Sequence, residues 1–433
     1  MKYNKHLKKL YSTYSFRTYV RMRHGTKHLG FFFKWIILAI IVGIACGLVG
    51  TAFHYCLDHA TEAFCHHGFI LYLLPIAGLL IVYSYRRLGI LNDEGTNSIL
   101  RAARAESTAA LRITPLIFLA SFLTHLCGGS AGREGAALQI GGSIGSFLGR
   151  KIKLDKYDHQ LMVMCGMSAT FCALFGTPMT AAMFSIEVAG VGTVFYAGLV
   201  PCIVAAVIAR LISRGFGVQP LMFRSIAEAE YLDIEVILKV LLLAVLVALL
   251  GIIFCSVMHN SSRIYKKYLP NPYIRIVVGA VLVILLTFLF GSRDYNGIGM
   301  PVIQSALAGS CKPEAFILKM IMTAVTLGAG FKGGEIVPTL FIGSTFGCTM
   351  GMLLGLDPVF AAEIAMIGFF CSVVNCPISS VFLSIELFGS ANFLLFGITC
   401  AITYLMSGYY SLYSGQKFMN SKIIPVSYER SAK

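Results

Sequence analysis

The residues best able to do chemistry in this sequence are two acids set in glycine-rich runs. Glu134 lies within "SAGREGAALQIGGSIG", directly after Arg133, and Glu335 lies within "GFKGGEIVPTLFIGSTFG". Each segment opens with glycines that expose backbone N–H groups, then enters small residues able to form a closely packed helix. The first turn of such a helix offers unpaired N–H donors and the positive end of the helix dipole. Two of these turns aimed at one spot bind an anion without any Lys or Arg side chain. A Glu at that position competes with the anion for the same donors. Ionised, it fills the site; protonated, it leaves the site open, which links proton binding to anion passage. Arg133 and Lys332 flank the segments and could draw anions in. The structural alternatives are a Glu134 carboxylate paired with Arg133 and a Glu335 carboxylate held by Lys332.

Acids are costly in apolar surroundings, and the surroundings here are very apolar. The chain has 433 residues, 57% hydrophobic and 13% charged, with a mean hydropathy of +0.77. These values predict an all-α polytopic membrane protein. About ten apolar tracts are legible: 31–56, 68–85, 113–127, 161–175, 193–213, 234–258, 274–291, 315–330, 360–374 and 393–406. Several are shorter than the roughly 20 residues of a clean crossing, as in transporters whose broken, tilted helices meet at a central site.

The net charge of +15 does not point to nucleic acid, because it sits at the ends. Residues 1–30 hold eight Lys/Arg and no acid, and the tail from 416 to 433 adds Lys417, Lys422, Arg430 and Lys433 against Glu429. The positive-inside rule then places both termini in the cytoplasm of a multi-pass plasma-membrane protein. The basic start suits anionic lipid and is no signal peptide. The thirteen Cys show no paired spacing, so no disulfide framework is expected. In "FHYCLDHATEAFCHHG", His54, Cys56, His59, Cys65, His66 and His67 are zinc-ligand types, but their spacing matches no standard site, and polar loop packing is expected instead.

The chain is duplicated. Pro178, Glu187 and Gly190 answer to Pro377, Glu386 and Gly389 at an offset of 199; Glu134 answers to Glu335 at 201, and "IGGSIG" at 140 answers to "IGSTFG" at 342. This gives a basic segment at 1–30, a first membrane repeat at 31–216, a linker at 217–233, a second repeat at 234–415 and a short tail at 416–433 with no regulatory domain. About five tracts per half, an odd number, makes the halves inverted. Glu187 and Glu386, each inside "SIE", are expected to satisfy backbone groups where helices break.

On these residues the sequence resembles the CLC superfamily of chloride channels and proton-coupled anion antiporters. "GREGAALQIGGSIG" resembles its gating-glutamate segment, "GFKGGEIVPTLFIGSTFG" the second-half counterpart, and "SLYS" at 411–414 the motif of its central tyrosine. The resemblance implies that Glu134 is the external gate, that Tyr413 flanks the anion path, and that Gly135, Ala136, Ile336 and Val337 lie at the anion site, the last two through backbone N–H groups. It also implies a homodimer with one pore per subunit. "GREG", "LQ.GGS" and "FKGGE" resemble the fluoride/proton antiporter branch. In "GTNSI", Thr96 replaces the anion-coordinating serine of chloride members and Asn97 follows it, so both are expected to bind the anion and set its preference; Val188 stands where exchangers often carry an inner glutamate, which leaves Glu335 as an inner proton carrier.

The expected function is therefore proton-coupled anion antiport, with fluoride as the anion and chloride transport as the alternative. An intramembrane enzyme using Glu134 and Glu335 as an acid pair lacks a nucleophile or metal motif and leaves the glycine runs unexplained. No Walker sequence, cofactor site or nucleic-acid site is expected.

Overall fold

The computed structural model describes residues 14–90, 93–223, 233–424 and 426–433. The basic start before Tyr14 and most of the linker, 224–232, lie outside the described residues. The first eight helices are α1 (Tyr14–His66), α2 (Leu74–Arg87), α3 (Thr96–Ala103), α4 (Ile113–Leu126), α5 (Glu134–Lys151), α6 (Lys156–Phe175), α7 (Pro178–Glu187) and α8 (Leu199–Gly215). Their counterparts are α9 (Ile234–Tyr268), α10 (Pro272–Leu289), α11 (Met300–Leu307), α12 (Ala315–Ala329), α13 (Ile336–Leu354), α14 (Pro358–Val374), α15 (Pro377–Phe388) and α16 (Phe393–Met406).

Among the described residues, eight helices per half replace the five tracts that hydropathy suggests. The extra ones are short or glycine-rich: α3 and α11 have eight residues each and α7 has ten, roughly 12–15 Å of helix, half a bilayer core. Proline sets several starts, with Pro178 and Pro377 at the first position of α7 and α15. Conversely α9, with 35 residues, is about 52 Å long and must tilt to fit. The segment holding His54 to His66 is no loop, because α1 continues through it.

The halves are related by an antiparallel, two-fold arrangement. The Glu187 carboxylate, at the end of α7, accepts from the N–H groups of Ile378 and Ser379 at 3.2 and 2.9 Å, at the start of α15. Glu386, at the end of α15, accepts from Met179 and Thr180 of α7, both at 2.9 Å. Each acid thus caps the partner's positive helix end. An end-to-start exchange of this kind requires the two helices to run in opposite directions, which is the inverted repeat.

The site helices sit at the centre. In α5, 14 of the 18 residues are buried. It crosses α6 so closely that a Cβ on Gly141 would lie 2.0 Å from the Gly166 carbonyl oxygen. Only glycine allows that approach, which fixes the start of α5 in space. A small sheet closes the fold: β1 (Gly190–Val191) pairs in parallel with β2 (Lys417–Asn420), which pairs antiparallel with β3 (Ser427–Ser431). The tail is therefore partly strand.

Candidate functional site

The two glycine-rich loops meet on the two-fold. Gly132 and Gly334 exchange both backbone hydrogen bonds, at 2.7 and 2.6 Å, as one antiparallel bridge. A Cβ on Gly334 would lie 2.6 Å from the Gly135 nitrogen, so side chains would push the loops apart. This bridge brings the first turns of α5 and α13 face to face, one from each half. Glu134 is fully buried, and its Oε2 crosses the junction to accept from the Val337 N–H at 3.1 Å. Its Oε1 is buried with no hydrogen-bond partner among the described residues. Gly135, Ala136, Ile336 and Val337 are all buried around this junction.

Neither structural alternative for the acids is present. Arg133 donates through Nη1 to His54 Nδ1 at 2.9 Å and to Asp58 Oδ1 at 3.2 Å, away from Glu134. Lys332 pairs with Asp93 at 2.7 Å and lies over the Tyr85 ring. Glu335 makes no ion pair among the described residues; half-buried, it faces a cavity of about 1080 Å³.

Thr96, Gln139, Glu335 and Tyr413 line that cavity, and Glu134 does not. The Tyr413 ring is buried and its hydroxyl has no partner among the described residues, which is rare for a buried O–H. The Thr96 hydroxyl, at the first position of α3, lies 3.5 Å from the Gly135 carbonyl oxygen. Gln139 donates to the same carbonyl at 3.1 Å. Asn97 lines the cavity too, but its amide is engaged: it donates to Ser414 Oγ at 3.1 Å and accepts from the Gly415 N–H at 2.8 Å. It thereby holds the loop that carries Tyr413. Arg86, Lys266 and Arg275 also line the cavity, in addition to the paired Arg101 and Lys332. A concave, basic mouth concentrates anions.

Sequence reasoning missed Asp93 and Gln139. Asp93 also accepts from the Gly95 N–H at 3.0 Å, so one carboxylate ties the turn before α3 to the loop before α13. Its position two residues ahead of a glycine turn was the available signal. Of the Cys/His segment, His54 turns inward to Arg133, while His59 and His66 lie near Glu62 on the exposed end of α1. No group of three metal-type ligands converges among the described residues.

Paired half-helices, an inverted repeat and a buried glutamate at the junction define a transport fold, and comparison with known proteins decides which. The sequence pattern of the "Voltage gated chloride channel" family matches residues 77–408. The chain belongs to this family. It is a membrane transport protein, and the enzyme reading is set aside. Among its relatives is a "Chloride/fluoride channel protein" of Pseudomonas syringae pv. tomato, 32% identical over 396 residues, covering 90% of this chain and 87% of the relative. The crystal structure of a CLC-type fluoride/proton antiporter superposes with a TM-score of 0.85 at 31% identity, covering 88% of this chain and 97% of that one. A slow cyanobacterial Cl-/H+ antiporter shares the fold, with a TM-score of 0.73 at 19% identity over 86% and 94% of the two chains.

Proposed function

We propose that this chloride channel family member exports fluoride in exchange for protons, with Glu134 as its gate. The observation that carries the reading is the Glu134 carboxylate on the Val337 N–H. An ionised carboxylate there occupies the donors that an anion needs, and protonation weakens its hold on them. An anion entering from the cavity and a proton arriving at Glu134 are then alternative occupants of one junction. Glu335 faces the cavity without an ion-pair partner among the described residues, which suits a carrier of protons between the cytoplasm and the gate. Similarity to the fluoride/proton antiporter and the chloride/fluoride channel protein favours fluoride. A small, strongly hydrated anion needs close polar partners, which the Thr96 and Tyr413 hydroxyls and first-turn N–H groups supply.

The cavity is read as the cytoplasmic mouth. Lys34 of α1 pairs with Asp158, and Lys417 of the tail pairs with Glu106. Ser146 and Arg150, at the end of α5, both donate to the Ala109 carbonyl oxygen in the loop after Glu106. These contacts support Lys34 of α1 and the tail lying on one side, and the basic lining supports that side being cytoplasmic. The functional unit is taken as a homodimer with a pore in each subunit, which the mass of the detergent-solubilised protein checks.

The test is efflux from liposomes loaded with fluoride or chloride, with a pH electrode in the bath. Fluoride efflux should move protons inward and exceed chloride efflux, and Glu134→Gln should abolish proton movement. Coupled transport by a folded Glu134→Gln protein overturns the gate.

A further inference from the structure

Arg133 and Glu134 are adjacent, oppositely charged and buried, yet they do not pair. Arg133 Nε and Glu134 Oε1 are both buried and both lack a hydrogen-bond partner among the described residues. A donor and an acceptor that could satisfy one another are left unmatched on neighbouring residues. Buried polar groups are almost always paired, so something holds these two apart.

What holds Arg133 is a pair of side chains one turn apart on α1, His54 and Asp58. Its Nη1 donates to His54 Nδ1 at 2.9 Å and to Asp58 Oδ1 at 3.2 Å. The guanidinium also lies over the Phe175 ring, 5.5 Å from its centroid. A guanidinium only donates, so His54 Nδ1 must be the acceptor and the ring proton sits on Nε2. His54 Nε2 is 3.0 Å from Asp58 Oδ2, so it donates there and the three side chains close a ring. Asp58 answers the Arg133 charge from the side opposite the gate.

We propose that His54 and Asp58 are positioning residues of the transport cycle: they hold the Arg133 guanidinium off the Glu134 carboxylate, so that the gate can exchange its N–H partners and its proton. The inference rests on the gate reading above. Once released, Arg133 turns to its unmatched neighbour and clamps the carboxylate in its ionised, site-filling form.

Three variants test it by coupled fluoride efflux from proteoliposomes. His54→Phe should slow turnover by about tenfold or more, the scale of one charge-assisted hydrogen bond. Asp58→Ala should act in the same direction, and the Asp58 side chain is 50% exposed, so folding tolerates the change. His54→Gln should restore turnover, because its amide accepts from Arg133 and donates to Asp58 as the imidazole does. In an Arg133→Gln background, His54→Phe should add no further loss. Wild-type rates in both His54→Phe and Asp58→Ala, or a full His54→Phe defect without Arg133, overturn the proposal. Glu134→Gln run in parallel separates the two readings. If it stays coupled, the gate itself is wrong; if it loses coupling while His54→Phe transports normally, only the positioning role is wrong.

Discussion

Glu335 is the residue whose surroundings most constrain what it can do. Its counterpart Glu134 is sealed in the junction, whereas Glu335 faces the cavity beside Tyr413 and Thr96. The lysine three residues earlier is committed to Asp93, so removing the Glu335 charge leaves no cation unpaired. Glu335→Gln is therefore expected to fold and assemble normally while losing proton-coupled fluoride movement. Loss of expression would instead mark the acid as structural, and normal coupled turnover would remove it from the proton route. Thr96 presents a hydroxyl to the cavity, while the Asn97 amide is spent on the Tyr413 loop. Thr96→Ser should thus shift the fluoride-to-chloride ratio by a few-fold at most, since a hydroxyl is kept. Asn97→Gly should lower turnover of both anions by freeing Tyr413. A large change of ratio in Asn97→Gly with unchanged turnover would place the amide at the anion instead.

Helix starts carry this molecule's polar function, and three of them are met by carboxylates from the opposite half. Glu187 and Glu386 cap α15 and α7 reciprocally, and Glu134 reaches the start of α13. The two capping acids hold the halves together at opposite helix ends, and Glu187, buried and also accepting from the Ser379 hydroxyl, should cost more to remove than half-buried Glu386. Glu386→Ala leaves two part-buried N–H groups without their carboxylate partner, a loss of about 1–3 kcal/mol once water reaches them. A lowered unfolding temperature in detergent, with the proton-to-fluoride ratio of surviving protein unchanged, is the expected outcome; a changed ratio would put Glu386 in the transport path. At this scale the sequence was only partly legible. Long apolar helices such as α9 and α10 stand out because burial in lipid demands continuous apolar residues. Thr96–Ala103 and Met300–Leu307 do not, because eight residues are too few to make a crossing tract; the first is largely buried in protein, where polar residues are tolerated, and the second buries only Ile303 and Ala306. The site acids were legible because a carboxylate within a glycine run is rare in an apolar chain. Their partners were not: Asp93 and Lys332 are 239 residues apart, and His54 and Arg133 are 79 apart, distances that no local pattern encodes.

The whole molecule is tied off by its end. Gln416 donates to the Val188 and Val374 carbonyl oxygens, one in each half, at 3.0 and 2.9 Å. Lys417 then bridges Glu429 of β3 and Glu106 of the loop after α3. Arg104 donates to Glu106 and to the Ala189 carbonyl oxygen beside β1. Because this knot sits next to the Tyr413 loop, loosening it should disturb the inner end of the anion path. Its acid dependence follows from Glu106, whose carboxyl is pulled down from 4.5 to about 2, chiefly by the Arg104 hydrogen bonds and then by Lys417. A carboxyl more acidic in the folded than the unfolded chain stabilises above its unfolded value and loses that contribution as pH falls through the folded one. The clamp should therefore be intact at neutral pH and weaken between pH 4.5 and about 2. Glu106→Gln should speed amide exchange across residues 416–420 at pH 7, and the gap between variant and wild type should close as pH falls through that window. Equal exchange at pH 7 would mean that strand pairing with Gly190–Val191 alone holds the tail, and the fluoride turnover of Glu106→Gln should then match the wild type.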